Sequence, residues 1–125
     1  MKTVINSKDA PEAIGPYSHA IMAGNFLFIS GQLPIDPSTG QFAGNDIASQ
    51  TKQSLKNLLT IVKTSGMGVD NIIKTTVYLS DMNNFATMNE VYSTVFKAEY
   101  PARAIEVARL PKDALVEIEA IAFKE

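Results

Sequence analysis

Arginine and glutamate occur in this chain at intervals suited to binding and hydrolysing a small acid. Arg103 closes Tyr100-Pro-Ala-Arg103 and opens a predicted strand, and Glu117 and Glu119 alternate in the next one, Val116-Glu-Ile-Glu-Ala-Ile-Ala122. A guanidinium holds a carboxylate through two parallel N–H···O bonds. A glutamate held nearby orients or deprotonates water. The pair points to hydrolysis of a small carboxylic acid. Plainer roles compete: Arg103 in a salt bridge to Glu106 or Glu119, and Glu117 as a solvated strand acid or an inter-subunit ion pair. Glu119 shares the strand face of Glu117 and competes for its role.

The elements that must position these side chains follow from pattern. Gly15-Pro16 breaks the chain before a predicted strand over 19–23, and Ala23-Gly24-Asn25 signals a hairpin into a partner strand, Phe26 to Ser30. Gly31 to Asn45 reads as a long loop with a turn at Asp36-Pro-Ser-Thr-Gly40. A first helix is expected from Asn45 or Asp46, with Leu55, Leu58, Leu59 and Val62 as its apolar stripe and Gly66 and Gly68 as its end. A strand near Ile72–Ser80 places Ile73, Thr75, Val77 and Leu79 on one face. A second helix, roughly Asn84 to Ala98, carries the stripe Phe85, Met88, Asn89, Tyr92 and Phe96, and Pro101 closes that region. Closing strands near Arg103–Arg109 and Leu115–Phe123 complete the order β, β, α, β, α, β, β.

This order predicts one α/β (α+β) domain over 1–125, a single sheet with both helices on one face. In the last strand, Val116, Ile118, Ala120 and Ala122 are suited to lie under helices. The opposite face carries Leu115, Glu117, Glu119, Ile121 and Phe123, too apolar to be simply wet, which suggests contact with another subunit.

Bulk properties narrow the function classes. The chain has 125 residues, 46% hydrophobic, and a formal net charge of −2; the sequence pI is about 5.4 and the mean hydropathy +0.03. That supports a folded core and argues against a nucleic-acid grip, which needs a clustered basic face. No run approaches the ~20 apolar residues of a membrane span, and residues 1–8 lack a signal peptide's apolar stretch. With no cysteine and one histidine, thiolate chemistry is excluded and a histidine-based zinc site is disfavoured. The expectation is a cytoplasmic, metal-free protein. Ser30 lacks a Gly-x-Ser-x-Gly frame and is not read as a nucleophile. His19 reads as structural or exposed.

The ordered motifs Ile14-Gly-Pro-Tyr17, Ser30-Gly-Gln-Leu-Pro34, Gln50 to Asn57, Asn89-Glu-Val-Tyr92, Tyr100-Pro-Ala-Arg103 and Glu106 to Ala122 run nearly end to end. In them the chain resembles the Rid/YjgF family, and within it the RidA-type enamine/imine deaminases. The resemblance implies a chorismate-mutase-like fold, a homotrimer with three inter-subunit clefts, and no cofactor. It implies hydrolysis of 2-aminoacrylate and 2-iminobutanoate, released by pyridoxal-phosphate enzymes, to 2-oxo acids and ammonia. Matched position by position, it assigns the carboxylate-binding arginine to Arg103 and the water-associated glutamate to Glu117. Tyr17, Ser30, Gly31 and Asn89 become cleft residues, with Ala104 and Ile105 beside the arginine. For Tyr17 and Asn89 a purely structural role stands equally open.

One departure stands out. The family run has two residues between the arginine and its Val-Glu-Val-Ala-Arg-Leu-Pro-like segment; here Ala104-Ile105-Glu106-Val107 is one residue shorter, and the frequent cleft cysteine is absent. Deleting a strand residue swaps faces beyond it unless a bulge absorbs the change. Local absorption is expected, with Val107 and Leu110 kept on the core face and Ile105 near the cleft. Two other functions remain in view: a non-catalytic sensor of 2-oxo acids, and RNA cleavage or translation inhibition, which the acidic balance disfavours.

Overall fold

In the computed structural model, which describes residues 1–97 and 99–125, six strands form one mixed sheet and two α-helices cover one of its faces. The strands are β1 (Lys2–Ile5), β2 (Ala20–Ala23), β3 (Phe26–Gln32), β4 (Ile72–Leu79), β5 (Ala102–Val107) and β6 (Val116–Phe123). The helices are α1 (Ile47–Thr64) and α2 (Phe85–Val95). The sheet order is β1-β2-β3-β6-β4-β5.

Local chemistry accounts for most boundaries. β2 and β3 join through Gly24 and Asn25, with Gly24 at φ 59, the left-handed backbone a two-residue primed turn requires. Asp46 caps α1 by accepting the Ser49 N–H at 2.9 Å, and the helix ends just before Ser65 and Gly66. α2 begins after Asn84 and ends at Val95; the expected end at Ala98 lies outside the described residues.

The C-terminal strand β6 takes the centre, antiparallel to both β3 and β4. β4 and β5 pair in parallel, so they need a crossover, which α2 supplies. Burial alternates strictly along β6: Val116, Ile118, Ala120 and Ala122 are buried. They meet Leu55, Leu58, Ile61 and Val62 of α1 and Met88 and Tyr92 of α2 in the main core. Each buried Val, Leu, Ile or Met side chain among them contributes about 1.5–3 kcal/mol by leaving water. A smaller cluster of Leu33, Ile35, Leu110 and Ala114 packs under the 33–42 loop. There Asn57, fully inside, donates from Nδ2 to the Leu33 and Ile35 carbonyls at 3.0 and 2.8 Å.

Among the described residues, no helix covers the opposite face. Phe26 and Phe28 pair across to Phe123 and Ile121, and the Phe26 and Phe123 rings lie 4.9 Å apart. Both β3 phenylalanines remain exposed. Tyr78, Glu106, Glu117 and Glu119 continue that face toward β5.

Three expectations change. β1 is an additional edge strand; its four mostly exposed residues carry no strong alternation. Ile73 does not join the core face of β4: a register shift between Ile72 and Lys74 puts Ile72 inside and leaves Ile73 44% exposed. Val107 is 57% exposed at the end of β5, although Leu110 is buried as expected. The Arg103 segment itself pairs one-to-one with β4, from Ala102–Lys74 to Val107–Leu79, without irregularity.

Candidate functional site

Two clusters of candidate residues form, and the sheet separates them. The first is built on β5 and α2. Arg103 pairs with Thr75 on the helix-covered face, and its Nη1 donates to Asn89 Oδ1 at 2.7 Å. The Arg103 guanidinium carbon lies 4.9 Å from the Tyr92 ring centre and 5.8 Å from that of Phe85, within cation–π range. Beneath it, the Tyr92 hydroxyl and Thr75 Oγ1 share a buried hydrogen bond of 2.7 Å. Burial pushes the Tyr92 phenol up, opposed by the Thr75 bond and the Arg103 charge. Asn89, Tyr92, Ser93, Tyr100, Pro101 and Arg103 line an open groove of about 390 Å³.

The second cluster lies where β3 meets β6. The β3–β6 register shifts between Ile29 and Gln32, so the chain bulges at Ser30-Gly31. Glu117 packs directly over that bulge: a Cβ on Gly31 would stand 2.8 Å from Glu117 Oε2 and 2.9 Å from its Cδ. The glycine is required there for close approach. Burial first, and the charge of Glu119 second, hold the Glu117 carboxyl above the usual carboxylate range. A raised acid is a stronger base toward water. Ser30 Oγ donates to the Ser18 carbonyl at 2.7 Å, so its proton is committed to the loop. Tyr17 is half-exposed, with its hydroxyl accepting the Ile14 N–H at 3.2 Å. Tyr17 and Gly31 line a common cleft of only about 20 Å³, room for about one water.

The structure thus brings Arg103 to Asn89, and Glu117 to Gly31, but leaves Ser30 bonded to the Ser18 carbonyl and puts Arg103 and Glu117 on opposite faces of one sheet. Ala104 shares the open face with Glu117, and Ile105 packs half-buried on the helix side with Arg103. Glu106 and Glu119 also occupy the open face, which opposes their salt bridging to Arg103 within one chain. Glu119 pairs across to Thr76, and its charge, after burial, helps push the Tyr78 phenol up.

His19 is structural: its Nδ1 accepts the Ser7 N–H at 3.0 Å and its Nε2 contacts the Pro11 carbonyl at 2.8 Å. Sequence reasoning passed over Tyr92 and Thr75 as partners of Arg103. The spacing of Phe85, Asn89 and Tyr92 places all three on one helix face; it marks Asn89 as a candidate, while Tyr92 reads only as part of the apolar stripe. Among the described residues, no group of three or more His, Cys, Asp or Glu could hold a metal ion, and no helix is long and apolar enough to cross a membrane.

An arginine groove and a glutamate-over-glycine bulge thus lie on opposite faces of one mixed α/β sheet. The chain belongs to the Rid/YjgF family: the family model described as Endoribonuclease L-PSP matches residues 7–124. It is 59% identical over 126 residues to a RutC family protein of Pyrococcus horikoshii, covering 100% of both chains. It is 46% identical over 125 residues to the human 2-iminobutanoate/2-iminopropanoate deaminase, covering 99% of this chain and 91% of that one. Among solved structures, Escherichia coli TdcF with bound serine is similar with a TM-score of 0.94 and 44% identity, covering 98% and 99% of the two chains.

Proposed function

We propose that the protein hydrolyses reactive 2-imino acids, 2-aminoacrylate/2-iminopropanoate and 2-iminobutanoate, to 2-oxo acids and ammonia. The site would lie in a cleft between neighbouring copies of a homotrimer. The observation that carries the assembly is the division of the site: Arg103 and Glu117 occupy opposite faces of the sheet, so one chain alone does not bring both to one substrate. The unpartnered apolar face around Phe26, Phe28 and Phe123 supplies a surface for a neighbour. Deaminase-named relatives and the serine bound in TdcF, an amino acid with the same carboxylate, support the substrate class.

In this reading Arg103 holds the carboxylate of the protonated imine, and Tyr17, Ser30, Gly31, Asn89, Ala104 and Ile105 shape the cleft. Glu117 accepts a proton as water adds to C2, giving a carbinolamine. That proton passes to the amine; as the C–N bond breaks, Glu117 takes the carbinolamine hydroxyl proton, ammonia leaves and the 2-oxo acid remains, and the proton then passes to ammonia to give ammonium. Holding and aiming supply most of the rate, because the iminium is already electrophilic. No cofactor of the protein's own takes part. The substrate would arrive from pyridoxal-phosphate enzymes that eliminate water from amino acids, in the cytoplasm.

The test is mixing. Arg103→Ala and Glu117→Gln chains should each be inactive in a threonine dehydratase reaction followed by 2-oxobutanoate release. Unfolded and reassembled together, roughly one cleft in four of a random closed trimer should regain both groups. Mixtures as inactive as the parents, with trimers confirmed, would defeat the inter-subunit site. Binding of 2-oxobutanoate without any turnover by the unmutated protein would instead favour a sensor.

A further inference from the structure

The arginine groove contains a pair, Tyr92 bonded to Thr75, to which the proposed hydrolysis assigns no role. Arg103 stands on β5, at the edge of the sheet, and is solvent-exposed. A guanidinium on a flexible stem at such an edge samples many orientations, and binding a carboxylate by a two-point fork must restrict them. Here α2 presents Phe85, Asn89 and Tyr92 on one face, at spacings of four and three residues. Asn89 Oδ1 takes one N–H of Arg103. Tyr92, only 4% exposed, sets its ring against the guanidinium. Its hydroxyl cannot swing away without leaving Thr75, which is itself completely buried on β4.

We propose that Tyr92, anchored by Thr75, is a positioning residue that fixes the plane of the Arg103 guanidinium, while Asn89 occupies one donor and leaves the others for the substrate carboxylate. This rests on the reading of Arg103 as the carboxylate anchor. Tyr92 acts through the arginine and not on the reacting carbon: its hydroxyl is committed to Thr75. The contribution is to binding, common to substrate and transition state, so it falls on KM and on the affinity for product, and kcat is held.

The experiment measures KM and kcat for dehydratase-generated 2-iminobutanoate, and the Kd of 2-oxobutanoate by calorimetry. Tyr92→Leu should raise KM and Kd about three- to tenfold, the range of a partly desolvated cation–π contact, with kcat within about twofold. Tyr92→Phe keeps the ring but loses its anchor on Thr75, so it should recover part of that loss and not all of it; a purely structural role for Tyr92 would show no such split between KM and kcat. A second measurement needs no variant: ring current from Tyr92 should move the Arg103 side-chain proton signals upfield in the NMR spectrum of the unmutated protein. Arg103 signals at unshifted positions overturn the stack even if Tyr92→Leu fails to assemble. Arg103→Ala separates the two layers. If it leaves 2-oxobutanoate binding unchanged, the anchor reading falls and the brace with it. If it abolishes binding while Tyr92→Leu keeps the parent KM, only the brace falls.

Discussion

Gly31→Ala isolates the geometry of the glutamate half-site without touching an ionisable group. The new methyl carbon would stand 2.8 Å from Glu117 Oε2, 2.9 Å from Cδ and 3.1 Å from Cγ, where ordinary contact begins at 3.4 Å. The carboxylate must therefore retreat by about 0.6 Å. It can, because it is the far end of a flexible side chain. The backbone also tolerates alanine, since Gly31 is not among the glycines with positive φ. Removing a glycine from a strand stabilises by about 0.5–1 kcal/mol, which offsets much of the crowding; the melting temperature should stay within a few degrees. Catalysis should not tolerate the shift. A displacement approaching 1 Å costs on the order of 10²-fold in rate, so kcat/KM should fall about 10- to 100-fold in a folded, trimeric protein. The assay is 2-oxobutanoate and ammonia release beside threonine dehydratase, with light scattering and thermal unfolding on the same samples. Parent-level activity in Gly31→Ala would refute the placement of Glu117 over the reacting water. Loss of the fold would refute the claim that only the carboxylate gives way.

Other outcomes follow from the same geometry. Glu117→Gln should lower kcat by about 10²- to 10³-fold, and Glu119→Gln far less; the reverse ranking, measured side by side, would move the base to Glu119. Because the folded-state Glu117 carboxyl is held above its ordinary range, its ionisation opposes folding. That penalty is absent below the unfolded value, ~4.3, and grows as pH rises through the folded one. Glu117→Gln should thus be more stable than the parent at neutral pH, with the gap closing at low pH in urea titrations; an equal gap at all pH values would contradict the assigned cause. Arg103→Lys keeps the charge but loses the fork and should cost about 10- to 100-fold in kcat/KM, with Arg103→Ala costing more. Asn57→Ala strips the Leu33 and Ile35 carbonyls of their donor and should destabilise by about 2–4 kcal/mol; an unchanged urea midpoint would show that water replaces it.

Local chemistry was legible without coordinates. The Asp46 cap, the Gly24-Asn25 hairpin, the α2 stripe and the alternation of β6 each depend on residues a few positions apart, so their types and spacing were enough. Alternation alone put Glu117 and Glu119 on one face and the small residues on the other. Family motifs marked Arg103, Tyr17 and Asn89 as candidates but said nothing of their contacts.

Tertiary pairing decided the rest. Period-2 reasoning put Ile73 in the core; the register shift against β6 gave that place to Ile72. A second shift, at Ser30-Gly31, created the close approach that distinguishes Glu117 from Glu119. The face taken by Arg103 depended on parallel pairing with β4 and on α2 lying above it. β6 reached the centre of the sheet by pairing with strands distant in sequence. Side-chain alternation determines which residues share a face within one strand. It carries no information about where a bulge resets that alternation, or which distant strand lies alongside, because both are set by hydrogen bonding and packing across the whole sheet.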